Sequence, residues 1–222
     1  MITAVFFDLD GTLADTAPDL AAALNQLLVE HHQPALPFEK IRPVVSRGGN
    51  ALIELAFGIK PNDSGFPPLR ERFLEIYQTR LHNSTYLFEG MEAVLDTLEA
   101  KQITWGVITN KPAWLTHPLM EKLQLMVRAG CIVCGDSTAN PKPHPAPMLL
   151  ACELTHSKPA SSLYVGDAER DVAAGRAAGM HTLVALYGYI DQYENPGKWQ
   201  ADGMINLPDE IVNWIDKFNS QS

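Results

Sequence analysis

The sequence predicts an α/β fold in which a doubly wound parallel sheet is covered by helices on both faces and a helical segment is inserted after the first strand. Apolar runs of strand length recur along the chain, and they are continuous rather than alternating, as strands buried on both faces require. The stretches between them repeat apolar residues with helical period, so the order is βαβα, the pattern from which parallel sheets are built. A third observation places the insert: residues 16–85 carry helical patterns and no convincing strand. The expected organisation is a Rossmann-like α/β core of residues 1–15 and 86–222 with a helical domain of residues 16–85 inserted into it.

The first strand is predicted from "ITAVFF", residues 2–7. "TAPD" then reads as a helix start, with Thr16 as N-cap, Asp19 three positions on and Pro18 in the first turn, ahead of "LAAALNQLLVE". Further helices of the insert are expected over 37–45, 50–57 and 67–82, separated by "SRGGN" and "GIKPNDSGFPP", whose Gly, Pro, Ser and Asn residues favour loops. The chain is expected to enter the insert near Leu13–Thr16 and leave it near Tyr86–Gly90. Beyond it, helical patterns at 91–101, 113–124, 146–155 and 170–178 alternate with the strand-like runs "ITWGVIT" (103–109), "CIVC" (131–134), "SLYVG" (162–166) and "HTLVAL" (181–186).

Composition narrows the function classes. A chain of 222 residues buries a substantial core, and its net charge of -9 comes from 26 acids against 17 bases with no basic stripe, which argues against nucleic acid as a partner. No apolar run reaches the ~18 residues of a membrane span, and the N-terminus lacks the charge and apolar order of a signal peptide, so no membrane partner and a cytoplasmic location are expected. Cys131 and Cys134 have the spacing of redox or zinc sites, but no second ligand pair accompanies them and "CIVC" reads as a short buried strand.

In a doubly wound sheet, ligands bind beyond the carboxyl ends of the strands, which places the chemistry at residues 8–11, 109–111, 135–142 and 166–171. In "DLDGT", period-two alternation sends Asp8 and Asp10 to one side, where their like charges repel unless a cation meets them. A hard divalent cation with oxygen ligands meets that need, and Mg²⁺ is the usual occupant where phosphate is also present. Gly11 permits a sharp turn that aims backbone N–H groups at an anion. "VITNK" supplies Thr109 and Asn110, a hydroxyl and an amide suited to phosphate oxygens. "NPKPHPAP" holds Lys142 stiffly between prolines, and "VGDAERD" supplies Asp167 at a strand end and Asp171 one helical turn later.

"DLDGTLADT", "VITNK", "KPHPAP" and "VGDAERDVAAGRAAG" together resemble, in order and over nearly the whole chain, the four motifs of the haloacid dehalogenase-like hydrolases in their aspartate-nucleophile phosphatase branch. The resemblance implies that Asp8 is the nucleophile and becomes an aspartyl-phosphate, and that Asp10 is the general acid and then the base. It implies Mg²⁺ on the Asp8 carboxylate, the Asp10 backbone carbonyl and Asp167. Thr109, Asn110 and Lys142 would hold phosphoryl oxygens, and Asp171 would support Lys142 or the metal shell. The insert is similar to the family's cap, and its "VSRGG" loop (45–49) resembles a specificity loop from which Arg47 meets substrate, whereas Arg42 is given no such role.

Residue types exclude some relatives. A dehalogenase needs no second acid, yet Asp10 is present, and a phosphonate-cleaving relative needs a cap lysine, for which only Lys40 and Lys60 stand, neither in a convincing loop. Phosphomonoesterase and phosphosugar mutase remain, and an inactive binding domain is disfavoured because idle buried charges destabilise a fold. The layout is similar to phosphoglycolate phosphatases. The C-terminal "YGYIDQYENPGKWQADGMI", with "LFEGM" and "WGVITNKP", resembles the branch acting on N-acetylmuramate 6-phosphate in cell-wall recycling. The implied partner is a small phosphomonoester, and the implied assembly a monomer or small homo-oligomer.

Overall fold

The computed structural model describes residues 1–220. Strand β1 (Ala4–Phe7) leads through β2 (Ala14–Asp15) into helices α1 (Ala17–Glu30), α2 (Phe38–Ile41), α3 (Gly48–Phe57) and α4 (Phe66–Arg80). β3 (Tyr86–Leu87) then returns antiparallel to β2. Strands and helices alternate from there: α5 (Met91–Ala100), β4 (Thr104–Ile108), α6 (Ala113–Lys122), β5 (Ile132–Val133), α7 (Ala146–Leu154), β6 (Ser162–Gly166), α8 (Glu169–Ala178), β7 (His181–Ala185), β8 (Gly203–Ile205) and α9 (Glu210–Ser220).

The large sheet has the order β5-β4-β1-β6-β7-β8, and every pairing in it is parallel. β1 is central and its four residues are fully buried, which is why "AVFF" tolerates no polar residue on either face. Its carboxyl end lies between those of β4 and β6, so Asp8, Thr109 and Asp167 emerge side by side at one edge of the sheet. Three short strands escape sequence reading: β2 and β3 hold two residues each, and β8 sits in "DGMIN", too brief to show a period. No strand or helix was expected beyond 186, yet α9 closes the chain, burying Ile211 and Ile215 one turn apart and packing beside α5.

Two local expectations fail, each for a stated reason. Thr16 does not cap α1 with its side chain, and Asp19 does not complete a capping box. Both side chains are used in tertiary bonds: Thr16 Oγ1 donates to Asp10, while buried Asp19 accepts the Ser84 N–H and, at 2.8 Å, the Thr85 hydroxyl. The helix expected over 37–45 stops at Ile41 and continues as a 3-10 turn over Arg42–Arg47, because Pro43 supplies no N–H for an α-helical bond.

The helices between β2 and β3 are joined to the sheet by one continuous apolar cluster, which runs from Val5, Phe7 and Val165 to Leu24, Phe73 and Tyr77. Arg42 adds a polar link, donating to the carbonyls of Gly188 (3.1 Å) and Tyr187 (3.2 Å) with its guanidinium 4.9 Å from the Tyr189 ring centroid. Cys131 and Cys134 flank β5 as buried free thiols, as a short core strand requires. No helix among the described residues is long and apolar enough to cross a membrane.

Asp19 ties the start of α1 to the chain returning from α4, so its removal strands the buried Thr85 hydroxyl and frees the Ser84 N–H. Asp19→Ala is expected to lower the unfolding free energy by about 2–3 kcal/mol, read as a fall in the urea midpoint at unchanged m-value.

Candidate active site

β1 ends at Phe7, and the next residues turn rather than extend, so alternation along a strand is not what aims the two acids. Leu9 and Leu13 are fully buried and anchor the turn, and Gly11 makes it possible with φ +87. A Cβ at Gly11 would lie 2.2 Å from Asp167 Oδ2, so the position is closed to any side chain. Asp8 and Asp10 still converge on one cavity of about 290 Å³, which Thr109, Asn110 and Arg47 also line.

Both acids have one carboxylate oxygen occupied. Asp8 Oδ1 accepts the Leu9 N–H at 2.8 Å and lies 3.0 Å from Lys142 Nζ, while Oδ2 has Arg170 Nη2 at 3.9 Å. Asp10 Oδ1 accepts the Thr16 hydroxyl at 2.6 Å and Lys111 Nζ at 2.9 Å, and the hydrogen bonds of this side chain all fall on that oxygen. The second oxygen of each acid is left for other chemistry.

Lys142, Asp167 and Asp171 stand behind Asp8 rather than on the cavity wall, each almost fully buried. Lys142 Nζ lies 2.8 Å from Asp171 Oδ1, donates to the Tyr164 hydroxyl at 2.7 Å and reaches the Ile108 carbonyl at 2.9 Å. Asp171 turns its other oxygen to the Ala168 N–H at the start of α8. The Asn110 amide donates to the Lys142 carbonyl (2.9 Å) and accepts the Lys142 N–H (3.0 Å), so it positions the lysine's main chain while the residue also lines the cavity. Thr109 Oγ1 accepts the Lys111 N–H at 3.1 Å.

Asp167 Oδ2 accepts the Tyr189 N–H at 2.9 Å and a very short bond from the Ser46 hydroxyl, while Oδ1 is buried without a partner among the described residues. Asp8, Asp167 and Asp171 offer carboxylate oxygens within 4.8 Å of one another. Burial, and then the Asp8 and Asp171 charges, push the Asp167 carboxyl up to about 7. Burial also raises Asp8, with Asp171 adding to the effect and Lys142 opposing it. A buried carboxylate oxygen with no donor, facing two further carboxylates, fits a hard divalent cation. Because both Asp171 oxygens are already engaged, Asp8 and Asp167 are the better ligands.

Lys111, Arg170, Ser46 and Tyr164 were not singled out from the sequence. Lys111 Nζ bridges Asp10 to the Tyr77 hydroxyl at 2.9 Å and sits 4.5 Å from that ring's centroid. Burial opposes its charge, yet the Asp10 carboxylate and Tyr77 hold the ammonium above its ordinary range. The signal for Lys111 was its place directly after Thr109 and Asn110 at a strand end. Ser46 and Tyr164 gave none, being polar groups on elements whose contacts form only on folding.

A family model described as haloacid dehalogenase-like hydrolase matches residues 5–185. The chain belongs to this family. Among the family's characterised members, it is 43% identical over 97% of its length, and 96% of the relative's, to an N-acetylmuramic acid 6-phosphate phosphatase of Pseudomonas putida. It is 39% identical over 94% of both chains to a phosphoglycolate phosphatase of Xanthomonas campestris pv. campestris. Among solved structures, that of a predicted phosphoglycolate phosphatase from Haemophilus somnus 129pt superposes with a TM-score of 0.86 at 25% identity, covering 96% of this chain and 98% of the other.

Asp167 titrates upward on folding, so without metal the folded state keeps a proton that the unfolded chain has released. The stability it contributes is present below the ordinary carboxyl value of 3.8 and is lost as pH rises through about 7. In chelator-treated protein the unfolding free energy is expected to fall over that window. Saturating Mg²⁺ should recover stability near pH 7.5, and Asp167→Asn should shrink both effects in urea titrations run at several pH values.

Proposed function

We propose that the protein is a phosphatase that hydrolyses a small-molecule phosphomonoester through an aspartyl-phosphate on Asp8, with N-acetylmuramate 6-phosphate as the foremost substrate and 2-phosphoglycolate as the second. The observation that carries the reaction type is the pairing of Asp8, whose Oδ1 is held by Lys142, with Asp10, whose Oδ1 is held by Lys111 and Thr16. The substrate order rests on the greater similarity and coverage of the N-acetylmuramic acid 6-phosphate phosphatase relative.

In this reading Asp8 Oδ2 attacks phosphorus, and the bond from phosphorus to the substrate oxygen breaks as the new one forms. Asp10 Oδ2 gives its proton to the departing alcohol, a form of help typically worth about 10²–10⁴ in rate. Asp10 then takes a proton from water as that water attacks the phosphoryl group, which leaves as phosphate and restores Asp8. Lys142 and Arg170 offset charge as it gathers on the phosphoryl oxygens, and Thr109 lies within the same cavity to bind one of them.

A Mg²⁺ ion held by the Asp8 and Asp167 carboxylates and the Asp10 backbone carbonyl would supply positive charge that lets an anionic nucleophile meet an anionic substrate. The helical insert serves as a lid that excludes water, with Arg47 at the cavity rim to bind the remote part of the substrate through its planar fork.

Hydrolysis of p-nitrophenyl phosphate is expected to depend on Mg²⁺, and hexose 1-phosphates should yield free phosphate rather than the 6-phosphate. Asp8→Asn should abolish multiple turnover. Asp10→Asn should lose about 10²–10⁴ in kcat while keeping its Mg²⁺-induced rise in Tm. Turnover by a deamidation-free Asp8→Asn protein, checked by mass spectrometry, would refute the covalent route.

A further inference from the structure

Next to the reaction cavity lies a second hollow of about 580 Å³ on the seam between α4 and the start of α6. Arg70, Leu74 and Pro112 line both, so the two meet along that seam. The inner cavity alone is at the lower end of the range of about 300–1,000 Å³ for small-molecule sites, and the two together accommodate a ligand well beyond a phosphoryl group.

The outer hollow has a distinctive chemistry. Trp114, in the first turn of α6, is 44% exposed and contributes an aromatic wall. Arg70 Nε donates to Asn50 Oδ1 at 2.8 Å, which fixes the guanidinium plane at the junction while its terminal N–H groups lie outside that bond. Glu71 and Glu75 add carboxylates, and Glu75 Oε2 is already paired with Arg72 at 3.0 Å. A pyranose ring has an apolar C–H face and a polar edge, so it matches a flat indole flanked by charged groups. A guanidinium fork matches a carboxylate.

We propose that this hollow is a distal subsite for the ring of a sugar phosphate bearing an acidic substituent, the C–H face resting on Trp114, the substituent's carboxylate on Arg70 and a ring hydroxyl or amide N–H on Glu71. The proposal rests on the phosphatase reading of the inner cavity. It predicts selectivity: 2-phosphoglycolate has no ring to cover Trp114 and would forgo this binding, whereas a phosphorylated amino-sugar acid would gain it.

With Mg²⁺-loaded protein, the ratio of kcat/KM for N-acetylmuramate 6-phosphate to that for 2-phosphoglycolate is the readout. Trp114→Ala should lower the ratio about tenfold, mainly through KM. Arg70→Met should erase the preference for N-acetylmuramate 6-phosphate over N-acetylglucosamine 6-phosphate, which lacks the acidic substituent. A ratio unchanged within about twofold in Trp114→Ala would overturn the subsite. Titration calorimetry of unphosphorylated N-acetylmuramate into protein saturated with inorganic phosphate tests the hollow without turnover. Heat in the wild type that is lost in Trp114→Ala supports it, and no heat in the wild type refutes it. Absence of p-nitrophenyl phosphate hydrolysis refutes the phosphatase reading separately.

Discussion

The Lys142 ammonium, enclosed between Asp8 and Asp171, is the contact on which the architecture turns. An unpaired carboxylate at that depth is costly to bury, and removing one partner of a buried pair typically costs about 3–5 kcal/mol. The pair forms only because the carboxyl ends of β1, β4 and β6 lie together, with the loop after β5 bent over them and α8 starting beside them. The Tyr164 hydroxyl and the Ile108 carbonyl also lie within hydrogen-bond distance of the ammonium and share its third donor, so the sheet supplies the lysine's cradle as well as its charges.

That cluster is still short of positive charge. Asp167 brings a third carboxylate whose Oδ1 has no donor among the described residues, and Arg170 is 3.9 Å away from Asp8. The imbalance is the physical reason this cluster fits a hard divalent cation: the three carboxylates are held together by packing, and their charge is only partly offset by Lys142 and Arg170.

The helical insert is coupled to the same groups. Asp10 touches it through Thr16 at its entry and, by way of Lys111, through Tyr77 of α4, while Asp167 touches it through Ser46. The insert and the sheet are therefore joined by hydrogen bonds at Asp10 and Asp167 themselves.

The sequence by itself determined the strand core, the place of the helical insertion and the set of polar residues at the strand ends, because buried parallel strands need uninterrupted apolar runs and these are visible locally. "VITNK" and "VGDAERD" placed Thr109, Asn110 and Asp167 at strand ends, where the structure has them. Tertiary structure decided the rest. It turned Thr16 and Asp19 from a helix cap into tertiary ties, and it joined the Asn110 amide to the Lys142 main chain. It also recruited Lys111, Ser46 and Tyr164, whose partners lie 101, 121 and 22 residues away along the chain. A polar side chain takes whichever donor or acceptor folding brings within reach, and at such separations the topology chooses the partner, not the local sequence.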